Sequence, residues 1–240
     1  MTNKTVPALN RKAALIDLTI IIGTLIILKF LLLNVESFWS FAGPLSLLAA
    51  LGVATWPLKN RRITWRSLGL ACPTNIWQTL LWTVIALVVT MAVGAIAQSI
   101  SVQLLGGPNE ALLAIAAKYQ GRFDDVPGNL PVFIFWLAVA WIIGGFAEEM
   151  LFRAALLTRF ENLFAGLPFP ATLAVCSQAI IFGQQHYYYQ GLSGTIATGV
   201  IGLASGLLYL SFKRNLWTLV LSHGLSNTIG LTLIFSQPQL

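Results

Sequence analysis

Apolar stretches of about 20 residues recur along almost the whole of this 240-residue chain, each long enough as a helix to cross a hydrocarbon core of about 30 Å. That recurrence constrains the fold more than any other feature. Only 9% of the residues are charged, against roughly 25% in an ordinary soluble domain, so a water-soluble globule is excluded. The membrane is the solvent for most of the protein, and the fold class expected is all-α, a polytopic transmembrane helix bundle. About seven spans can be drawn, or eight: Ala14–Val35, Phe38–Leu58, Trp77–Val102, Pro131–Leu157, Ala171–His186, Leu192–Phe212 and Leu216–Phe235. No internal repeat or low-complexity run divides them, so residues 1–240 are read as one integral membrane domain.

The net charge of +6 does not point to nucleic acid, because the basic residues sit in short clusters between apolar segments, as in cytoplasmic loops. With the N-terminus inside, Lys4, Arg11, Lys12, Lys59, Arg61, Arg62, Arg66, Arg159, Lys213 and Arg214 are cytoplasmic, while Lys118 and Arg122 stay outside. The positive-inside rule thus selects an N-in, C-out topology. The first apolar stretch is long and is followed by no clear small-residue cleavage site, so it is expected to remain as a helix rather than leave as a signal peptide. Cys72 and Cys176 stand far apart with no CxxC partner, which argues against a disulfide framework or a thiolate metal site. Residues 60–75 read as an amphipathic interfacial helix or loop. Residues 106–130 contain a short helix over Asn109–Tyr119 and are taken as a linker rather than a lid.

An ionisable residue inside a span costs at least about 2.5 kcal/mol to insert and is a functional hypothesis by default. The fourth span carries Glu148, Glu149 and Arg153. In a regular helix Glu149 and Arg153 lie four apart on one face in the order that favours an ion pair, and Glu148 points about 100° away. The only two histidines, His186 and His223, lie within or at the end of apolar spans. A spacing of four puts His223 and Asn227 on one helical face, where two hydrogen-bonding groups can converge. Asp17 and Lys29, in or near the first span, are read as capping or snorkelling at its ends.

Three motifs in order carry a resemblance: Glu148-Glu149-xxx-Arg153, Phe182-xxx-His186 and His223-xxx-Asn227. The chain from Pro131 onward resembles the CPBP family, the CAAX prenyl protease and bacteriocin-processing (Abi-type) group of glutamic intramembrane proteases, and residues 131–235 are its motif-bearing core. A bacterial-type member is expected, in the inner membrane. The residue types suggest a mechanism: Glu148 with His186 activates a water as general base, and His223 and Asn227 donate hydrogen bonds to the oxyanion. The resemblance implies the same roles, with Glu149 and Arg153 holding the helix in place. Phe182 is taken as packing behind His186. No cofactor and no metal are expected. The substrate is a peptide or membrane protein, lipidated or not, and prenylated CAAX peptides are implied only through eukaryotic members. The sequence leaves the oligomeric state open.

One geometric difficulty accompanies this reading. Glu148 lies about 25 Å from the outer end of its span at 1.5 Å per residue, whereas His186 ends its own span on the outer side. They meet only if the fourth span starts well outside the bilayer or the fifth is displaced. Among rival readings, a zinc metalloprotease lacks the HExxH spacing. A serine protease with Gly191-Leu192-Ser193-Gly194 leaves the Glu148 cluster unexplained. A transporter, or a non-catalytic scaffold or immunity protein of the same fold, is separated from an enzyme by whether Glu148 and His186 are both needed.

Overall fold

The computed structural model describes residues 10–61, 63–107 and 109–238; Lys4 and Arg62, placed on the cytoplasmic side above, lie outside them. Helix α1 is Arg11–Leu33, and a 3₁₀ turn over Glu36–Phe41 leads into α2, Ala42–Asn60. Helix α3 is Ile76–Leu104 and α4 is Glu110–Gly121. Helix α5 runs without a break over Leu130–Leu163. Helices α6 (Pro170–Gln185), α7 (Tyr187–Ser211) and α8 (Leu216–Phe235) complete the bundle. Asparagine side chains cap the starts of α1, α3, α4 and α5: Asn10, Asn75, Asn109 and Asn129 each accept from a backbone N–H three residues on.

Every span read from the sequence is a helix. Six helices among the described residues are long and apolar enough to cross a membrane. The exception is α6, whose 16 residues reach only about 24 Å. One face of each helix packs inward, as Ala14, Leu18, Ile21 and Leu25 do on α1, and the opposite face presents exposed Ile27 and Phe30. Both faces are apolar because lipid, not water, covers the outer one. Helices therefore close on small residues. Gly183 on α6 meets Gly199 on α7, and Gly202 meets Ala179, an antiparallel hairpin in which a methyl group added at Gly183 would stand 2.5 Å from Thr195 O.

The basic clusters gather at one end of the bundle. Asp17 is buried there, bonded by both carboxylate oxygens to Arg61 and 3.4 Å from Arg159 Nε, so it is an internal ion pair rather than a helix cap. Arg214 joins Glu161 at 2.8 Å. Residues 63–75 form a loop tucked under this end, held where Tyr209 donates to Leu68 O and Leu216 N to Gly69 O. At the other end lie α4, the start of α5 and the C-terminal end of α8, the last two tied by Gly128 N to Phe235 O at 3.1 Å.

Candidate active site

The helix that carries the carboxylates is not a regular α-helix. Over Ala140–Glu148 and Met150–Leu156 α5 widens into π-helical turns, a form frequent at functional sites. The i,i+4 ion pair read from the sequence survives this: Arg153 Nε lies 3.2 Å from Glu149 Oε2, with both side chains at 2% exposure or less. The guanidinium also lies 4.3 Å from the centroid of Phe182, whose ring is 4.7 Å from that of His186. Phe182 is thus the packing element expected behind His186, and its backbone does more. Its carbonyl accepts from His186 Nδ1 at 2.8 Å, which places the proton on Nδ1 and leaves Nε2 free to accept.

Glu149 reaches across to α8. Its Oε1 is 2.9 Å from His223 Nδ1, so that nitrogen donates to a carboxylate and the ring is locked in orientation. The other nitrogen, Nε2, faces Glu148 Oε2 at 4.0 Å, too far for a direct bond and a span that a water or substrate atom can bridge. One turn on, Asn227 donates from Nδ2 to Ala140 O at 3.3 Å and keeps its second N–H. His223 and Asn227 do converge, and the point of convergence is Gly144. A methyl group built there would stand 2.6 Å from Asn227 Nδ2 and 3.7 Å from His223 Nε2.

Glu148, Glu149, Arg153, His186, His223 and Asn227 all line one cavity of about 580 Å³, within the range of ligand sites. The depth difficulty disappears when depth is counted from the loop joining α5 to α6. Glu148 lies about 15 residues before Leu163 and His186 about 16 after Pro170, so both stand about 22–25 Å from the same end. The shortness of α6 brings His186 to the level of Glu148. The 34 residues of α5 stretch over about 50 Å, beyond a core of about 30 Å.

Several cavity residues escape a reading by sequence. Lys29 is buried, not snorkelling: its ammonium donates to Gln185 O at 3.0 Å and to Gln185 Oε1, beside His186. The rule that marked Glu148, that a charge inside a span needs a reason, applied equally to Lys29. The segment read as a linker walls the cavity, for Tyr119 of α4 and Arg122 and Phe123 just after it line it. Tyr188 and Tyr189 also line it, Tyr188 edge-to-face with Trp39 and Tyr189 stacked on Tyr119, while Tyr187 is exposed. Ser193 is buried away from the cavity. The Gly191 before it, at φ 64° and ψ −167°, serves as the break where the chain turns back. Among the described residues no three His, Cys, Asp or Glu side chains are grouped to hold a metal, and Cys72 and Cys176 are free and exposed.

The fold and the cavity define an integral membrane protein, a helical bundle with carboxylates and imidazoles gathered deep among its spans. Residues 130–229, which hold all six of these side chains, match the family described as type II CAAX prenyl endopeptidase Rce1-like. That stretch of the chain is similar to the Rce1-like domain of the CPBP family, a protease family. No curated protein and no solved structure matches the chain.

Proposed function

We propose that this protein is a glutamic intramembrane endopeptidase of a bacterial inner membrane, its N-terminus cytoplasmic, acting on a peptide or membrane-protein segment, lipidated or not. The observation that carries the reading is that Glu148 and His186 face one cavity with His223 and Asn227, sunk among apolar helices. A water between Glu148 and His186 Nε2 attacks the scissile carbonyl carbon, and its proton passes to the Glu148 carboxylate. The carbonyl oxygen becomes an oxyanion facing His223 Nε2 and the second N–H of Asn227. Since His223 Nδ1 already donates to Glu149, Nε2 can donate only if the ring is an imidazolium. Glu149 beside it and Glu148 facing it support that charge against Arg153 beyond, so two carboxylates balance two cations. The proton on Glu148 then moves to the leaving amine as the C–N bond breaks. Each oxyanion donor contributes about 3 kcal/mol in other hydrolases.

The test is cleavage of a quenched peptide library and of lipidated CAAX-type peptides by the purified wild type, Glu148→Ala, His186→Ala and Asn227→Ala, with and without chelator. Cleavage that survives chelation and vanishes in folded Glu148→Ala and His186→Ala variants is expected. Chelator-sensitive cleavage would move the reading to a metalloprotease. Complementation of a deletion strain by Glu148→Ala would move it to a scaffold.

A further inference from the structure

The cavity that holds Glu148 and His186 is sealed at one end of the bundle. Its floor is Phe152 and Arg153 of α5 with Leu219 of α8, all buried. Below that floor every residue from Ala154 to Phe160 is buried, and Leu156, Leu157, Tyr209, Leu216 and Leu68 close into one apolar core. The Tyr209 hydroxyl donates to Leu68 O at 2.7 Å, which draws the loop of residues 63–75 across the base. Among the described residues, none of 154–163, 170–181 or 216–218, the stretches that carry α5, α6 and α8 into this end, lines the cavity. A peptide entering from there would have to thread its backbone N–H and C=O groups through packed hydrocarbon with nothing to bond them.

The rim lies at the other end. Gly43 in the first turn of α2, Tyr119 in the last turn of α4, Gln190 in the first turn of α7 and Ile234 in the last turn of α8 all line the cavity, and each is partly exposed. Helix α5 changes character at the same level. No residue of 130–144 is buried, and Trp136, Ala140 and Gly144 of that stretch face the cavity. Charge tells the two ends apart. The sealed end carries exposed Arg11, Lys12, Lys59, Arg66 and Lys213, whereas the rim end carries exposed Glu36, Glu110, Asp124 and Asp125. Loops rich in Lys and Arg stay in the cytoplasm, so the sealed end is the cytoplasmic one.

We propose that the cavity opens to the outer face of the membrane, and that the substrates are segments presented on that side: an exported peptide, or the outer flank of a membrane protein. This rests on the endopeptidase reading of the site and on the cytoplasmic N-terminus proposed with it. The attacking water comes from the outer aqueous phase through the same mouth. A chain end lying in the cytoplasm, prenylated or not, meets the apolar floor and has no path to Glu148.

Two measurements on the full chain in a bacterial host test it. The first is labelling by a membrane-impermeant maleimide, in spheroplasts and in sealed inside-out vesicles. Cys72, exposed in the loop at the sealed end, reports one side, and Ser226→Cys, in the cavity wall, reports the other; Cys176→Ser removes the remaining thiol. Ser226→Cys should label in spheroplasts and not in sealed inside-out vesicles, and Cys72 the reverse. Gln190→Cys, at the rim, should follow Ser226→Cys and replaces it if that variant does not fold. Labelling of the cavity position in sealed inside-out vesicles, labelling of Cys72 in spheroplasts, or no labelling of either cavity position would overturn the proposal. The second is cleavage of an impermeant quenched peptide by the wild type. Spheroplasts should cut it, and sealed inside-out vesicles should not until detergent opens them. Outward labelling with no peptide cut even in detergent supports the opening, and the endopeptidase reading alone fails. Cleavage by sealed inside-out vesicles would overturn the opening and leave the endopeptidase standing.

Discussion

Replacing Gly144 by alanine adds one methyl group to the site and changes no charge. In the structure that methyl would lie 2.6 Å from Asn227 Nδ2, about 1 Å inside ordinary contact. Asn227 is the end of a side chain and can withdraw, but it then gives up its bond to Ala140 O, at 3.3 Å, a loss of about 1 kcal/mol. Alanine in place of a helical glycine returns about 1 kcal/mol. Stability should therefore hardly change. Activity should fall on the order of 10²-fold, because one of two oxyanion donors has moved by about the distance that separates a bond from none. The assay pairs a thermal melt in detergent with peptide cleavage, and kcat rather than KM should carry the loss. Gly145→Ala is the contrast: its methyl meets Gly224 Cα at 3.2 Å and Val220 O at 3.3 Å, backbone that cannot step aside. It should cost about 1–3 kcal/mol of stability. Wild-type turnover in Gly144→Ala, with the melt unchanged, would refute the assignment of Asn227 as a donor.

Asp17→Asn should lower stability by about 3–5 kcal/mol, read as a drop in melting temperature, because it leaves Arg159, at 1% exposure, without its carboxylate. Lys29→Met should cost about 1–3 kcal/mol by stranding the Gln185 carbonyl and amide oxygen; cleavage should fall as well, since Gln185 adjoins His186, whereas unaltered melting and turnover would show that Lys29 only fills space. Burial raises the Tyr119 phenol above its ordinary value near 10, so the fold favours the neutral form. The stability this contributes is complete below the unfolded value and is lost as pH climbs through the folded one. Tyr119→Phe should accordingly flatten the decline in melting temperature above about pH 10, and an unchanged alkaline profile would count against burial of that hydroxyl.

Span lengths, the Glu149–Arg153 pair and the one-face placement of His223 with Asn227 were legible in the sequence because each depends on neighbours within a few residues along one helix. The same locality explains the capped start of α4 at Asn109. What a local reading could not supply is which helices meet and at what depth. Lys29 and Asp17 looked like residues at the ends of a span, and only the packing of α1 against α2 and α5, with Lys29 reaching Gln185 at the end of α6, shows them paired inside the bundle. His186 joined Glu148 because α6 is too short to reach the far side, a fact of where a hairpin turns rather than of hydropathy. The π-helical turns of α5 leave no mark in the apolar pattern, since every face of that helix is apolar in lipid. Composition and periodicity, then, determined a membrane bundle and the side chains available for chemistry. Tertiary structure decided that Tyr119 of α4 faces the cavity, that Glu149 orients His223, and that Arg122 stands among aromatic rings, because contacts between distant segments arise only when the helices pack.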